Sequence, residues 1–190
     1  MKLIATFGLL MLSGTALAGA PATEARIGEV VLSVPPQFKG PETASLGGRT
    51  STVAYAISGV PGTPGGVLQI TRMEGDTPPS NMSETEVARL TSQYLLRMLA
   101  GIERARTRFT RSTPQTMRLG GMVATKITWA GHLGDLPTNG AMYCVLAGPD
   151  LIWLHAFGPG NKPDEHTIQA IAAIETLSMA PSEKPSAPAP

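Results

Sequence analysis

The spacing of apolar positions changes several times along the chain, and each change marks an element. Glu29-Val-Val-Leu-Ser-Val34 is a short apolar run stopped by Pro35-Pro36, which predicts an opening strand. After Phe38 a polar, glycine-bearing stretch continues to Arg49. Thr52 to Ser58 then alternates, with Val53, Tyr55 and Ile57 on one face. Gly59-Val-Pro-Gly-Thr-Pro-Gly-Gly66 reads as loop and Val67 to Arg72 as a returning strand, so this region predicts a hairpin with a long tip.

The period then lengthens. Ser83-Glu-Thr-Glu86 has the form of a capping box, in which the serine hydroxyl accepts from the third helical amide and Glu86 reaches back. Val87, Leu90, Tyr94, Met98 and Ile102 recur at steps of three and four, widened by Leu95 and Leu99. This predicts a helix that fades between Gly101 and Arg106. From Phe109 the period returns to two. Gln115–Leu119 and Met122–Trp129 flank Gly120-Gly121, a dipeptide suited to a tight hairpin turn, and Val123, Thr125, Ile127 and Trp129 share a face. Gly140–Ala147 is a further strand. Leu151–Phe157 is apolar on both faces and is therefore expected at the centre of a sheet. Pro163 opens a second helix, expected from Asp164 to about Met179, with Ile168, Ile171, Ala172 and Leu177 available to pack.

Hairpin-connected strands interrupted by two separate helices imply an α+β domain. The expectation is an antiparallel sheet of about six to seven strands sandwiched by two helices, forming one domain over residues 21–180. Residues 181–190 are expected to form a disordered, proline-rich tail.

The N-terminus bears on where the protein works. Met1-Lys2 precedes an apolar run from Leu3 to Leu12, and Ala16-Leu-Ala18 and Ala18-Gly-Ala20 both fit a leader-peptidase site. Residues 1–20 are thus expected to be a signal peptide cleaved after Ala18 or Ala20. The run is too short for a span of roughly 20 residues. No other stretch is long and apolar enough to form a transmembrane segment. A short leader of this kind is bacterial in character, which implies a periplasmic or secreted protein.

Fifteen basic residues against 14 acidic ones leave a net charge of +1, which excludes an overall polycation for nucleic acid. With a single cysteine, Cys144, no internal disulfide is available, and its apolar neighbours suggest a buried thiol.

The order of elements resembles the PsbP-like superfamily, which includes photosystem extrinsic proteins, a Ran-binding nuclear import factor and bacterial DcrB-like envelope proteins. The residues carrying the resemblance are Leu32-Ser-Val-Pro-Pro-Gln-Phe38, Leu119-Gly-Gly-Met-Val-Ala-Thr-Lys-Ile-Thr128 and Ile171-Ala-Ala-Ile-Glu-Thr-Leu-Ser178. It implies an α-β-α sandwich that is usually non-enzymatic and acts through protein contacts. These motifs are structural, so the resemblance transfers no functional residue.

Candidate chemistry is sparse. The segment from Gly131 to Asp135 reads as a polar loop between strands; His132 with Asp135 supplies too few ligands for a closed metal site, and neither is expected to hold a metal. His155 alternates with Trp153 and Phe157, which favours a hydrogen-bonded core histidine over a general base. Ser33 or Ser58 beside His155 would be the only hydrolase arrangement, and no G-x-S-x-G elbow supports it. Met117, Met122 and Met142 are thioethers of the kind that suits Cu(I), but core filling explains them more simply. No cofactor is expected.

Charge segregation is the most informative surface feature. Arg97, Arg104, Arg106, Arg108, Arg111, Arg118 and Lys126 face only Glu103 between positions 97 and 126. Arg97, Arg104, Arg106, Arg108 and Arg111 form a candidate surface for gripping carboxylates or phosphates, with an envelope protein or anionic surface as partner. The competing explanation is solvation of a helix end, where cations also favour the dipole. The favoured function is a non-catalytic interaction or accessory module of the bacterial envelope. The alternative is a periplasmic hydrolase or metal-handling protein using His155 or His132.

Overall fold

The computed structural model describes residues 22–57, 65–76 and 81–181. The expected leader, loop residues 59–64 and all but the first residue of the proline-rich tail lie outside the described residues.

The chain folds in three layers. Strands β3 (Lys39–Ser45), β4 (Thr50–Ala56), β5 (Val67–Met73), β6 (Thr107–Arg111), β7 (Gln115–Leu119), β8 (Met122–Leu133), β9 (Leu136–Ala147) and β10 (Asp150–Pro159) form an eight-stranded antiparallel sheet. Its order is β3-β4-β5-β10-β9-β8-β6, and β7 extends the far edge by pairing with another part of β8. Helix α1 (Glu84–Arg104) covers one face. Helix α2 (Glu165–Glu175) covers the other, together with a small sheet of β1 (Thr23–Ile27), β2 (Val30–Val34) and β11 (Ser178–Met179).

Strand β10 is central, as its two apolar faces require. Ile152, Leu154 and Ala156 join the core beneath α2, whereas Leu151 and Trp153 join the core beneath α1. The Ser83 box forms at the start of α1 with both reciprocal bonds present. The buried line of this helix differs from the apolar stripe: Thr91, Leu95 and Leu99 lie at its centre, while Tyr94, Met98 and Ile102 flank it. Thr91 is admitted because its hydroxyl is fully satisfied. It lies 2.9 Å from the Val87 carbonyl and 2.8 Å from the hydroxyl of Thr125 on β8.

Four expectations are corrected. The main sheet has eight strands rather than six or seven, because the polar stretch after Phe38 contains β3. Every side chain of β3 is exposed, and backbone pairing with β4 alone defines it. The opening strand belongs not to the main sheet but to a hairpin with β1. The segment around His132 is no loop: β8 and β9 continue to a tight turn at Gly134-Asp135. The last helix ends at Glu175, not near Met179. Thr176 caps it, accepting from the Ser33 amide, and Ser178-Met179 then pair with Val31-Val30. Of the residues expected to pack, Ile168 and Ala172 are exposed, Ile171 is half-buried and Leu177 is buried; the helix packs through Ala170, Ala173 and Ile174 instead.

Two close contacts hold these layers in register. Gly120 turns with φ +53°, and a Cβ there would come within 2.3 Å of the Leu177 carbonyl oxygen, so the β7–β8 turn can lie against the small sheet only with glycine. Asp150, buried at the β9–β10 turn, accepts from Arg72 Nε at 2.6 Å and from the Gly75 amide at 3.2 Å. Asp150→Ala leaves the Arg72 guanidinium, whose side chain is 28% exposed, with only its second ion pair, Nη1 to Glu74 at 2.9 Å, and frees the Gly75 amide. The expected loss is about 2–3 kcal/mol, toward the low end for a broken buried pair. The urea midpoint measures it, and adding Arg72→Met is expected to recover part of the loss.

Candidate functional site

His155 sits on β10 beneath α1. Its Nε2 accepts from the Trp129 indole N–H at 3.2 Å, which assigns the ring proton to Nδ1. Phe157 stacks on one side at 4.6 Å between centroids, and Trp129 tilts against the ring at 5.6 Å. Burial, and secondarily the charge of Arg106, push its pKa down to about 3. The ring is a neutral part of the core, with the lone pair a general base would use already engaged.

The other candidate groups do not join it. Ser33 lies in the small sheet on the far side, and Ser58 is outside the described residues. His132 is half-buried on β8, cross-strand from Pro137 and Thr107. His166, the third histidine, is half-buried in the first turn of α2, packed where the chain passes Gly66. Cys144 is fully buried, and desolvation raises its thiol pKa. Met117 and Met122 pack beneath α2, while Met142 packs beneath α1, so the sheet separates the three methionines. Among the described residues no three His, Cys, Asp or Glu side chains gather as a metal site.

The arginines divide into three groups. Arg118 and Lys126 pair with Glu84 and Glu175. Arg106 turns inward: its guanidinium lies 4.5 Å from the Trp129 ring centroid, with Nε donating to Thr138 Oγ1 at 3.2 Å and Nη1 to the Ile102 carbonyl at 3.3 Å. It is therefore a structural clamp over the aromatic cluster. Arg97, Arg104, Arg108 and Arg111 stay exposed and make no ion pair among the described residues.

The charge spacing adds Arg89 to this group. Arg89, Arg97 and Arg104 follow at steps of eight and seven, and all three are exposed on the side of α1 opposite Leu95. They lie within about a quarter turn and span ~22 Å along the axis. The contrast with neighbouring carboxylates below position 97 hid Arg89 in the linear sequence, although helical spacing alone would have revealed it.

Arg108 is exposed on β6, at a bulge where two residues oppose one of β8. Its φ of +51° is unusual for an arginine, and it brings Phe109 onto Trp129, with stacked rings 6.0 Å apart. Arg108→Gly is expected to relieve about 1 kcal/mol of backbone strain. This would raise the melting temperature by roughly 2–4 °C while removing one surface charge.

On the opposite side of the sheet, an open cleft of about 410 Å³ lies between the β6–β8 edge and the segment leading into α2. Thr110, Ser112, Thr128 and Asn139 line its sheet side, and Asn161 and Lys162 its rim. A smaller cavity of about 110 Å³ lies beneath α1, bordered by Met98, Met142, Trp153 and His155.

This architecture recurs in solved proteins of very different sequence. A cyanobacterial PsbP from Synechocystis sp. PCC 6803 superposes with a TM-score of 0.58 at 9% identity, over 89% of this chain and 99% of that one. The chain has the PsbP-like fold. LpqN of Mycobacterium tuberculosis, described as involved in cell envelope biogenesis, superposes with a TM-score of 0.52 at 16% identity, over 86% of this chain and 88% of that one. No family model and no curated protein sequence matches. The likeness therefore lies in the PsbP-like backbone arrangement and carries no site residue.

Proposed function

We propose that the protein is a non-catalytic accessory module of the bacterial envelope, exported behind its first 20 residues, whose α1 face docks on an anionic membrane surface. The observation carrying this reading is the row of Arg89, Arg97 and Arg104 along α1, exposed and in no salt bridge among the described residues, with Arg89 near enough to Glu86 to lower that carboxyl's pKa. A straight helix presents these charges to a plane, and each guanidinium contributes about 1 kcal/mol near anionic headgroups. The envelope role described for LpqN and the signal-peptide pattern support the location. The inward turn of Arg106 supports a surface made by the other arginines. No helix among the described residues is long and apolar enough to cross a membrane.

The mature chain is to be mixed with vesicles of phosphatidylcholine, with and without phosphatidylglycerol. Co-sedimentation with the anionic vesicles alone, weakening as salt rises, is the expected result. Equal partition onto both vesicle types, or onto neither, contradicts it.

A further inference from the structure

The cleft beside α2 has a chemistry different from that of the α1 face. Asn139 is 3% exposed. Its Nδ2 is anchored by the Gly160 carbonyl at 2.9 Å, while its Oδ1 is buried without a hydrogen-bond partner among the described residues. An orphaned buried acceptor costs about 1–3 kcal/mol, which a donor from a bound molecule would recover. Around it the cleft offers the hydroxyls of Thr110 and Thr128 and the amide of Asn161. Ser112 Oγ already accepts from the Thr128 amide, leaving its own proton to donate.

Among the described residues only two charged ones, Arg111 and Lys162, border the cleft, and both are cationic. The nearby carboxylate of Asp164 is occupied in capping α2, accepting from the Thr167 amide at 2.7 Å. Ile171 and Pro163 add an apolar wall. A volume of about 410 Å³ falls within the usual range for small-molecule sites.

We infer that this cleft binds an acidic monosaccharide unit of the hexuronate class. A sugar hydroxyl would donate to Asn139 Oδ1, the carboxylate would meet Lys162 and Arg111, and the ring's C–H face would rest against Ile171. An acceptor that requires a donor, placed beside two cations with no lining carboxylate, selects a ligand carrying both hydroxyls and negative charge. The site goes beyond membrane docking, and of Arg97, Arg104, Arg106, Arg108 and Arg111 only Arg111 borders it.

The test is titration of the mature protein with D-glucuronate, followed by amide NMR shifts. D-Glucose and acetate serve as hydroxyl-only and charge-only controls. Saturable millimolar binding of glucuronate is expected, with each control at least about tenfold weaker. Lys162 is exposed, so Lys162→Ala leaves the fold intact and is expected to weaken glucuronate binding about tenfold. Asn139→Asp adds a repelling charge and also removes the Nδ2 donor held by the Gly160 carbonyl; it is expected to abolish binding, with its melting temperature and the exposed Lys162→Ala variant separating loss of the site from loss of the fold. The glutamate triple variant at Arg89, Arg97 and Arg104 is expected to bind glucuronate like the unaltered protein, so failure of either proposal is seen independently. Absence of saturable glucuronate binding, equal binding of acetate or glucose, or indifference to Lys162→Ala overturns the assignment.

Discussion

Changing Arg89, Arg97 and Arg104 together to glutamate is expected to reduce binding to phosphatidylglycerol vesicles by about 100-fold or more. Neutralising three guanidiniums near an anionic surface removes about 3 kcal/mol, already more than 100-fold, and reversing their sign adds repulsion. The fold is expected to persist, because all three side chains are exposed and the buried line of α1 runs through Thr91, Leu95 and Leu99. Melting temperature is the control. Arg106 must be left out of the variant: with its guanidinium over Trp129 and bonded to Thr138, its loss would damage packing and confuse the result. A triple variant that melts normally and still binds the vesicles would dispose of the docking face.

The second large effect is on stability against pH. Because burial holds the His155 imidazole neutral, with its pKa lowered from 6.5 to about 3, the folded state stays unprotonated in mild acid. The unfolded chain takes up that proton near its ordinary pKa. Stability is therefore complete above about pH 6.5 and falls as the pH drops toward 3, by roughly 1.4 kcal/mol per unit once well below 6.5. Over the whole window the loss is on the order of 4–5 kcal/mol. His155→Gln keeps an oxygen acceptor for the Trp129 N–H but cannot titrate. Urea midpoints measured between about pH 4 and 7 are expected to decline more steeply for the unaltered protein than for the glutamine variant. Parallel profiles would show that the imidazole is not held neutral. The same property argues against the hydrolase alternative, since a base that protonates only near pH 3 and already accepts from an indole has no free lone pair with which to take a proton from a nucleophile.

Several parts of the fold were legible wherever a local pattern had one structural solution. The Ser83 box needs only four adjacent residues, the Gly120-Gly121 turn only two, and the double apolar face of Leu151–Phe157 admits only a central strand. β3 was not legible, because Lys39-Gly-Pro-Glu-Thr-Ala-Ser45 has no buried side chain and is a strand only through β4's backbone. Thr91 could not be placed at the centre of α1 before Thr125 was known to face it. Likewise, the short Ser178-Met179 pairing depends on β2, 147 positions back along its register from Ser178 to Val31, and helix propensity alone would have continued through it.

For the sites the division is similar. By itself the sequence determined that positive charge is concentrated around positions 97–126 and that the histidines are too scattered to form an evident catalytic or metal motif. Only the tertiary structure separated the arginines that point outward from Arg106, which Trp129 draws in, and the paired Arg118 and Lys126. Only it, too, brought Asn139, Thr110 and Lys162 together around one cleft. Local patterns are written by neighbouring residues and can be read along the chain. Burial, pairing and the juxtaposition of distant side chains are properties of the packed layers, and they exist only once those layers have formed.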